Sequence, residues 1–282
     1  RELFPQNLDE ADRNWVNQKL QYTHGFGATA SPVTEFTTEG RPLFLLKDIP
    51  PKGDLPLTRP EIYYGENTTE FVIVNSKTEE FDHQPPGGNP QYKNYQGTGD
   101  VKLSSFVRRL SYAWEFRDLN ILISGQITPE SRILYKREIV ERVSSIVPFL
   151  KLDKDPYLVV AEEKLWWMLD GYTTTDRYPY STRSGQDILG EDVNYIRNSV
   201  KILVDAYNGS VNFFVIDTID PMIKMYAKAF PSLFKPFSSM PESLQDHIRY
   251  PIDYFSVQAE INLKYHMTDP NVFFNKQDQW SI

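Results

Sequence analysis

The sequence lacks cysteine, and it has neither a long hydrophobic run nor an excess of basic residues. Without cysteine, the 282 residues can form no disulfide and no thiolate metal site, which excludes zinc fingers. No stretch reaches the roughly 18 apolar residues that a membrane helix needs. The chain carries 38 acidic and 30 basic residues. Because a nucleic-acid groove needs clustered Lys and Arg, we expect no nucleic-acid partner.

The length and the first residue bear on domain organisation. A chain of 282 residues can bury a large core, as one domain or as two. It begins with Arg1 and shows no signal peptide, so we expect a processed or excised piece of a longer protein.

Two predicted β-hairpins form the longest stretch with one consistent pattern. The apolar runs Tyr157–Val160 and Leu165–Thr173 are separated by polar residues, which indicates a first hairpin. Arg197–Tyr207 and Val211–Ile216 are rich in β-branched and aromatic residues. Asn208-Gly209 lies between them and favours a tight two-residue turn.

The first arm of the second hairpin alternates in polarity. Ser199 and Lys201 are polar, while Val200, Ile202 and Val204 are apolar. This pattern predicts one buried face and one face in water.

A helix directly upstream is predicted to cover the buried face of the sheet. Thr128-Pro129 is typical of a helix start, and Pro148 ends the helix near Val147. Apolar residues recur between them at helical spacing: Ile133, Ile139, Val140, Val143, Ile146 and Val147. A helix followed by mostly antiparallel strands predicts an α+β unit with two hairpins.

The flanking regions differ in composition and predict a three-part organisation. Residues 1–100 contain short apolar runs separated by proline and charged turns, as expected of short strands and long loops. Residues 82–100 are rich in Pro and Gly and are predicted to be a linker. Residues 101–217 would be the α+β unit and residues 218–282 a helical region, with one compact domain as the alternative.

The N-terminal segment contains the first candidate for chemistry. Leu8, Trp15, Val16 and Leu20 predict one face of a short helix that stops before Gly25. The next residues contain His24, glycines and hydroxyls, so this loop could present a base, a ligand or an anion-binding backbone. The alternative is an ordinary turn, because the lysine of a phosphate-binding loop and a second nearby histidine are missing.

A helix is predicted after residue 105 from five apolar residues on one face. These are Phe106, Val107, Leu110, Ala113 and Trp114. Arg108, Arg109 and Arg117 fall on its other sides. They indicate either a solvated face or a site for an anion or a lipid headgroup.

The segment between the hairpins, residues 173–196, is too long for a turn and is predicted to be a surface loop. It contains the candidate binding residues Asp176, Arg177, Tyr178, Tyr180 and Arg183. Tyr and Arg are enriched at binding hot spots, so this loop is the predicted recognition surface. Ordinary aromatic packing is the alternative.

The C-terminal region is predicted to be helical. Asp220-Pro221 is a good helix start, and Met222, Met225, Tyr226 and Ala229 form a stripe interpreted as core contact. A longer amphipathic helix is predicted at 252–267. Asp269-Pro270 would begin a last turn that ends at Trp280.

Several long strings identify a family resemblance. They are YTHGFGATASPV, TRPEIYYGE, DLNILISGQITPESRILYKREIVERV, LDGYTTTDRYPYS, NYIRNSVKILVDAYNGSVNFFVIDT and YHMTDPNVFFN. The chain resembles the uncharacterised protein family 0182 over nearly all of its length. In that bacterial family several membrane helices precede a large extracytoplasmic region, so the resemblance implies a segment outside the cell membrane. It supplies no activity and no catalytic residues.

The helix and the hairpins also look like a cystatin or PepSY unit, which is an analogy of architecture alone. Two functions are therefore considered. The first is a soluble extracytoplasmic domain without catalysis, cofactor or metal, which binds a ligand or protein partner beside its own membrane-spanning region.

The alternative function is a hydrolase that acts on an envelope component. His24 would be the base, Thr29 or Ser31 the nucleophile, and Asp205 or Asp217 the acidic partner. The two aspartates flank the second hairpin, so they could also suit a hard cation such as Ca²⁺. Ordinary aspartates at turns and strand ends are the competing interpretation.

Overall fold

The computed structural model describes residues 9–281, and its helices and mainly antiparallel sheets confirm the α+β class. Leu8, which was assigned to the first predicted helix, lies outside this range. The strands are β1 (Gly25–Phe26), β2 (Leu46–Lys47), β3 (Lys52–Gly53), β4 (Glu61–Ile62), β5 (Val72–Val74), β6 (Phe81–His83), β7 (Gln91–Tyr92), β8 (Val101–Lys102), β9 (Arg132–Leu134), β10 (Lys151–Leu152), β11 (Tyr157–Ala161), β12 (Lys164–Thr175), β13 (Tyr195–Asp205), β14 (Val211–Val215) and β15 (Phe234–Pro236).

The helices are short except for two of them. They are α1 (Phe106–Phe116), α2 (Asn120–Ile123), α3 (Ile139–Ile146), α4 (Gln186–Leu189), α5 (Pro221–Ala229), α6 (Glu242–Gln245), α7 (Ile252–Tyr265) and α8 (Pro270–Asn275). Single 3₁₀ turns occur at Glu10–Asp12 and Phe237–Ser239, and a π-helical turn occurs at Asn17–Gln21. This π-helical turn buries Leu20 and ends before Gly25, as predicted.

One sheet has six strands and the other sheets have two or three. The large sheet has the order β10-β12-β13-β14-β15, and β11 also pairs with β12. β15 lies parallel to β14, whereas β10 is antiparallel to β12. The smaller sheets are β5-β9-β8, β1-β4, β2-β3 and β6-β7.

Residue contacts divide the chain into two compact units. The first contains the residues up to Arg142 together with Leu158–Trp167 and Val204–Val211. The second contains Val143–Tyr157, Met168–Leu203 and the residues from Asn212 onward. The sequence predicted three regions, with boundaries after residues 100 and 217. Whether these regions fold independently is not decided by residue contacts, so this organisation stays a prediction.

The core of the first unit is assembled from many short elements, because its small sheets offer little continuous surface. Its buried cluster consists of Leu20, Ile73, Leu103, Ala113, Ile121, Ile127 and Ile133. Burying one such aliphatic side chain contributes about 1.5–3 kcal/mol. This cluster therefore joins the π-helical turn, β5, α1, α2 and β9 into one unit.

Arg137 fixes several loops of the first unit through their backbone. Its buried guanidinium donates hydrogen bonds to the carbonyl oxygens of Thr23 at 2.6 Å, Tyr63 at 2.7 Å and Glu70 at 3.0 Å. Buried carbonyl groups outside regular sheets need such donors, because they have lost their hydrogen bonds to water. The Arg137 side chain thus supplies the hydrogen-bond donors that a neighbouring strand would provide in a regular sheet.

The predicted linker at residues 82–100 is wrong, because this segment packs into the first unit. The Tyr95 side chain is buried, and its ring stacks on Tyr207 at 5.1 Å. A Cβ atom placed on Gly97 or Gly99 would lie within 2.6 Å of the Tyr95 hydroxyl. Gly97 and Gly99 therefore allow the backbone to pack closely against Tyr95. The Gly-rich composition of this segment reflects close packing and not flexibility.

The predicted helix at residues 129–147 is correct only in its second half. Arg132–Leu134 instead form β9, which pairs with β5 and β8. A short apolar run fits a strand as well as a helix, and the strand pairing decided between them. The helix begins at Ile139 because the Glu138 carboxylate accepts hydrogen bonds from two backbone N–H groups of the first turn, at 3.0 and 2.6 Å. The cystatin-like or PepSY-like detail is therefore not confirmed.

Both predicted hairpins are present, but the second has a different turn. β11 and β12 are joined through Glu162-Glu163, which both have positive φ. β13 and β14 are joined by the five residues 206–210, so the predicted two-residue turn is wrong. Gly209 has a φ of +67°, and its N–H donates to the Asp205 carbonyl oxygen at 2.8 Å. The Asp205 carboxylate also accepts two backbone N–H groups of this loop, which stabilises the longer connection.

The predicted wet face of β13 is wrong, because Ser199 and Lys201 are as buried as Val200 and Ile202. Lys201 forms an ion pair with Asp170 on β12, with Nζ 2.5 Å from Oδ1. Burial raises the pKa of Asp170, although the nearby Lys201 acts in the opposite direction. The polar residues of this strand are therefore internal contacts.

Ser199 belongs to a second buried polar group around Asp220. The Asp220 carboxylate accepts hydrogen bonds from Thr173 at 2.6 Å, Ser199 at 2.7 Å and Tyr195 at 2.6 Å. It also accepts backbone N–H groups of α5, which confirms the predicted helix start. Burial opposes ionisation, but the donated hydrogen bonds hold the pKa of Asp220 below its ordinary value.

The C-terminal helices follow the predicted boundaries more closely than the predicted burial. In α5 the buried residue is Ile223. The interpretation of the stripe as core contact is wrong for Met225 and Ala229, which are exposed, whereas Met222 and Tyr226 are half-buried and the Tyr226 ring stacks on Phe149 at 4.2 Å. α7 spans most of the predicted range. α8 begins after Asp269 but ends at Asn275, and Trp280 stacks on the ring of His266 at 3.8 Å.

Candidate functional site

The predicted recognition loop begins after β12 and is held in shape by Asn194. The Asn194 side chain accepts a hydrogen bond from the Tyr178 N–H at 2.9 Å. Its amide nitrogen donates to the carbonyl oxygens of Tyr178 at 2.8 Å and Ser181 at 3.3 Å. The ring of Tyr178 stacks on Tyr195 at 5.4 Å. Asn194 thus orders the loop from its other end, and nothing in the sequence pattern indicated that role.

Charged residues of the loop pair with one another. The Asp176 carboxylate lies 3.2 Å from the Arg183 guanidinium and 3.7 Å from that of Arg177. All three side chains are solvent-exposed, so each pair adds at most about 1 kcal/mol to stability. Their main effect is to orient the guanidinium groups.

Tyr180 is the most prominent side chain of the loop. It is fully exposed, and its φ of +60° places it in the left-handed region. This conformation costs a non-glycine residue about 1–2 kcal/mol. The loop therefore presents an aromatic ring to solvent at the expense of local strain, which is a common feature of binding sites.

The loop and α7 form a cleft of about 550 Å³ within the second unit. Its lining residues are Tyr180, Ser181, Thr182, Arg183, Ser184, Glu260, Ile261, Leu263, Lys264, Tyr265 and Gln279. The hydroxyl oxygens of Thr182 and Tyr265 lie 3.2 Å apart and connect the two walls. The cleft thus combines aromatic rings, hydroxyl groups and charges of both signs, and its volume is that of a small-molecule site.

Two of the sequence candidates, Tyr180 and Arg183, line this cleft. Asp176 contacts it through the ion pair with Arg183. Arg177 and Tyr178 belong to the same loop but are not lining residues. The contribution of α7 through Lys264 was not predicted, because helical periodicity indicates which residues share a face and does not show what lies opposite.

His24, the remaining candidate, lies in the first unit and is buried. Its Nδ1 lies 2.9 Å from the Thr23 hydroxyl, which donates to Glu80 at 2.8 Å. Its Nε2 lies 3.3 Å from an Asp82 carboxylate oxygen, and the other oxygen lies 2.8 Å from His83 Nδ1. Burial opposes the ionisation of Asp82, but the hydrogen bonds from both imidazoles hold its pKa below the ordinary value.

A smaller cleft of about 370 Å³ lies beside this network. Asp82 and His83 line it, together with Phe26, Phe81 and the Pro85–Gly87 segment, whereas His24 is not a lining residue. The buried position of His24 favours a structural role, since a general base must reach the proton that it removes.

The side-chain partners of His24, Thr23 and Asp82, include none of the other residues of the hydrolase hypothesis. Thr29 and Ser31 are exposed. The carboxylates of Asp205 and Asp217 each accept backbone N–H groups of their own turn, and Asp217 also lies 3.5 Å from Arg197. Between residues 9 and 281, no group of three or more His, Cys, Asp or Glu is placed to hold a metal ion.

Comparisons with known proteins identify the family. The model of an uncharacterised protein family, UPF0182, matches residues 1–282. Curated relatives include UPF0182 proteins from Pelotomaculum thermopropionicum, at 49% identity over 284 residues, and Methanospirillum hungatei, at 47% over 287 residues. A third, from Sulfurovum sp., is 47% identical over 285 residues. No solved structure matches the chain.

Each of these alignments covers 100% of this chain but only 30%, 32% and 31% of the respective relative. The chain therefore spans about a third of the length of the curated relatives it matches. None of the helices in the described part of the chain is both long and apolar enough to cross a membrane. On the full-length family match and these identities, the chain belongs to the UPF0182 family.

Proposed function

We propose that this chain is a non-catalytic binding module of a bacterial membrane protein and that it lies on the extracytoplasmic side. The observation that carries the binding proposal is the 550 Å³ cleft, in which the loop residues Tyr180 and Arg183 face Lys264 and Tyr265 of α7. Its ligand is a small polar molecule or a segment of a partner protein. The hydrogen-bonding groups of this ligand would lie between the aromatic rings of the cleft, Tyr180 and Tyr265. Such a mixture of rings and a few polar groups is typical of ligand sites.

Charge within the cleft supports a polar ligand. Arg183 and Lys264 are cations, and Glu260 supplies one carboxylate on the same helix as Lys264. A guanidinium pre-oriented by Asp176 loses less side-chain freedom when it binds a ligand. Arg183 is therefore expected to contribute to affinity more than an isolated surface arginine would.

The first prediction compares Arg183→Ala with Arg177→Ala in a thermal-shift screen of oligosaccharides and short peptides. A ligand at about 100 times its dissociation constant stabilises the wild-type chain by about 2.7 kcal/mol. If Arg183→Ala weakens binding tenfold, the stabilisation falls to about 1.4 kcal/mol. Arg177 belongs to the same loop and is highly exposed without lining the cleft, so Arg177→Ala should retain the full shift.

The cleft proposal fails if no compound of either class stabilises the wild-type chain. It also fails if the two arginine variants respond alike, because ligand binding would then not depend on the residue that lines the cleft.

The location and the partner are proposed from the family resemblance. Members are expected to carry membrane helices ahead of a large outer region, and the relatives are about three times as long as this chain. The module would then contact the membrane-spanning region of its own complete protein. Tethering of this kind supplies membrane proximity without a basic surface on the whole domain.

The second prediction tests the location by cysteine accessibility in the complete protein, with any other cysteines replaced. Asn89→Cys places a thiol in an exposed loop, and Val74→Cys places one in the buried β5 as a control. A membrane-impermeant thiol reagent should label the Asn89→Cys variant in intact cells and leave the Val74→Cys variant unlabelled. Labelling of Asn89→Cys only after cell lysis would place the module in the cytoplasm.

A further inference from the structure

α1 and α2 expose a set of large apolar side chains on one surface, here called the α1–α2 face. Phe106 and Val107 lie four and three positions before Leu110, and Trp114 lies four positions after it, so the four residues share one side of the helix, with exposed fractions from 45% to 84%. Leu119, at the start of α2, is 70% exposed. Single exposed apolar residues are ordinary, but a contiguous set of this kind marks an interaction surface.

The centre of the α1–α2 face is concave. A cleft of about 520 Å³ is lined by Leu110, Ala113, Trp114, Leu119, Leu122 and Arg117. Five of these six side chains are apolar and the sixth is a cation. This lining suits an aliphatic group that is attached to a negative charge.

The charged groups of the two helices are distributed unevenly. Arg108 donates hydrogen bonds to the Lys102 carbonyl oxygen and the Ser104 hydroxyl, each at 3.3 Å. Arg109 donates to two backbone carbonyl oxygens, at 3.3 and 3.4 Å. Within residues 9–281, neither of these arginines nor Arg117 forms an ion pair with a carboxylate of the chain.

The two carboxylates of this region do not line the cleft of the α1–α2 face. Glu115 lines a different cleft, together with Tyr112 and Phe116. Asp118 accepts a hydrogen bond from the Trp15 indole at 2.6 Å. Arg117 is therefore the charged residue that lies beside the apolar residues of the α1–α2 face, although the whole chain has a net charge of −8.

We propose that the α1–α2 face binds the headgroup region of a lipid bilayer that contains anionic lipids. Its apolar residues would enter the boundary between headgroups and acyl chains, where the amphipathic ring of Trp114 is favoured. Arg117, which lines the cleft, would contact lipid phosphates. This arrangement matches that of amphipathic helices that lie in a membrane interface.

Charge distinguishes this occupant from a second copy of the chain. A two-fold dimer through the α1–α2 face would bring Arg117 toward its symmetry mate, and like charges repel. An anionic bilayer is complementary to Arg117 instead. The acidic groups elsewhere on the chain oppose binding weakly, because charges more than about 10 Å away are screened at 0.1 M salt.

The inference is independent of the Arg183 cleft, since it uses other residues in the other unit. The third prediction is measured by co-sedimentation of the 282-residue chain with vesicles. The wild-type chain should bind vesicles of phosphatidylcholine and phosphatidylglycerol in about a three-to-one ratio, and bind pure phosphatidylcholine more weakly. The double variant Leu110→Ser/Trp114→Ser should lower the partition coefficient by at least about tenfold, because both apolar side chains are lost.

Arg117 is tested separately from the apolar residues. Arg117→Gln should lower partition into the anionic vesicles by about fivefold and leave partition into pure phosphatidylcholine unchanged. Phe274→Ser is the matched control, because Phe274 on α8 is as exposed as Trp114, at 84%, and lies outside the face. This control and Arg183→Ala should both bind vesicles like the wild-type chain.

Three results would overturn the proposal. The wild-type chain could fail to bind either kind of vesicle, or Phe274→Ser could reduce binding as strongly as the double variant. Alternatively, size-exclusion chromatography with light scattering could show a wild-type dimer that Leu110→Ser/Trp114→Ser converts to a monomer. In that case a second copy of the chain occupies the face.

Discussion

Replacing Lys201 with Met is expected to lower the free energy of unfolding by about 3–5 kcal/mol, which is the fourth prediction. The side chains of Lys201 and Asp170 are 0% and 4% exposed, so neither group can be solvated when its partner is removed. The Asp170 carboxylate would remain in the sheet without its cation. A buried unpaired charge is among the most destabilising changes that a single substitution can produce.

The double variant Lys201→Met/Asp170→Asn separates the loss of the ion pair from the loss of packing. It contains no uncompensated charge, and it should therefore recover most of the stability lost in the single variant. Urea unfolding at one pH measures both values. If the double variant is as unstable as the single one, packing of the lysine stem, and not the buried carboxylate, determines the effect.

The pH dependence of Lys201→Met gives a second check. Without the ammonium group, the folded-state pKa of Asp170 rises further above its ordinary value of about 3.9. The folded form then binds a proton more tightly than the unfolded form does. The loss in free energy of unfolding caused by Lys201→Met should therefore become smaller as the pH falls toward the raised pKa of Asp170, and larger as the pH rises above it.

Replacing Gly209 with Val, the fifth prediction, is expected to destabilise the chain by about 2–5 kcal/mol through two separate effects. The φ of +67° strains any β-branched residue. In addition, a Cβ atom at this position would lie 2.5 Å from ring carbons of Tyr64. The backbone cannot easily move away, because the Gly209 carbonyl oxygen accepts a hydrogen bond from Arg142 at 2.6 Å.

Gly87→Val is the matched control for Gly209→Val. Gly87 has a similar φ of +71°, but no atom lies within 4 Å of an added Cβ. The control should therefore show only the backbone strain, about 1–2 kcal/mol. Equal losses in thermal melting for the two variants would mean that contact with Tyr64 has no effect, and an unchanged melting temperature for Gly209→Val would contradict the prediction entirely.

The sequence predicted one wall of the candidate cleft and not the other. The enrichment of Tyr and Arg in residues 173–196 predicted a recognition loop, and Tyr180 and Arg183 line a cleft. The opposite wall comes from α7, more than 70 positions later in the chain, as the pair Thr182–Tyr265 illustrates. No local pattern reports which distant helix faces a loop.

Burial was the property that sequence patterns predicted least well. Ser199 and Lys201 alternate with apolar residues as they would on a half-solvated strand, yet both are buried. Their burial depends on Asp220 and Asp170, which lie 21 and 31 positions away in the sequence. Conversely, Trp114 belongs to an apolar helical stripe and is exposed.

The sequence by itself determined the local elements: the α+β class, the strands of both hairpins, and the helix starts at Asp220-Pro221 and Asp269-Pro270. Caps and strand propensity depend on neighbouring residues, so local patterns suffice for them. The tertiary structure alone decided that Arg132–Leu134 pair as a strand, that glycines near residue 98 pack against Tyr95, and that charged groups lie inside the sheet. These outcomes depend on partners that are distant in sequence, because the free energy of burying a polar or apolar group is set by the atoms that surround it.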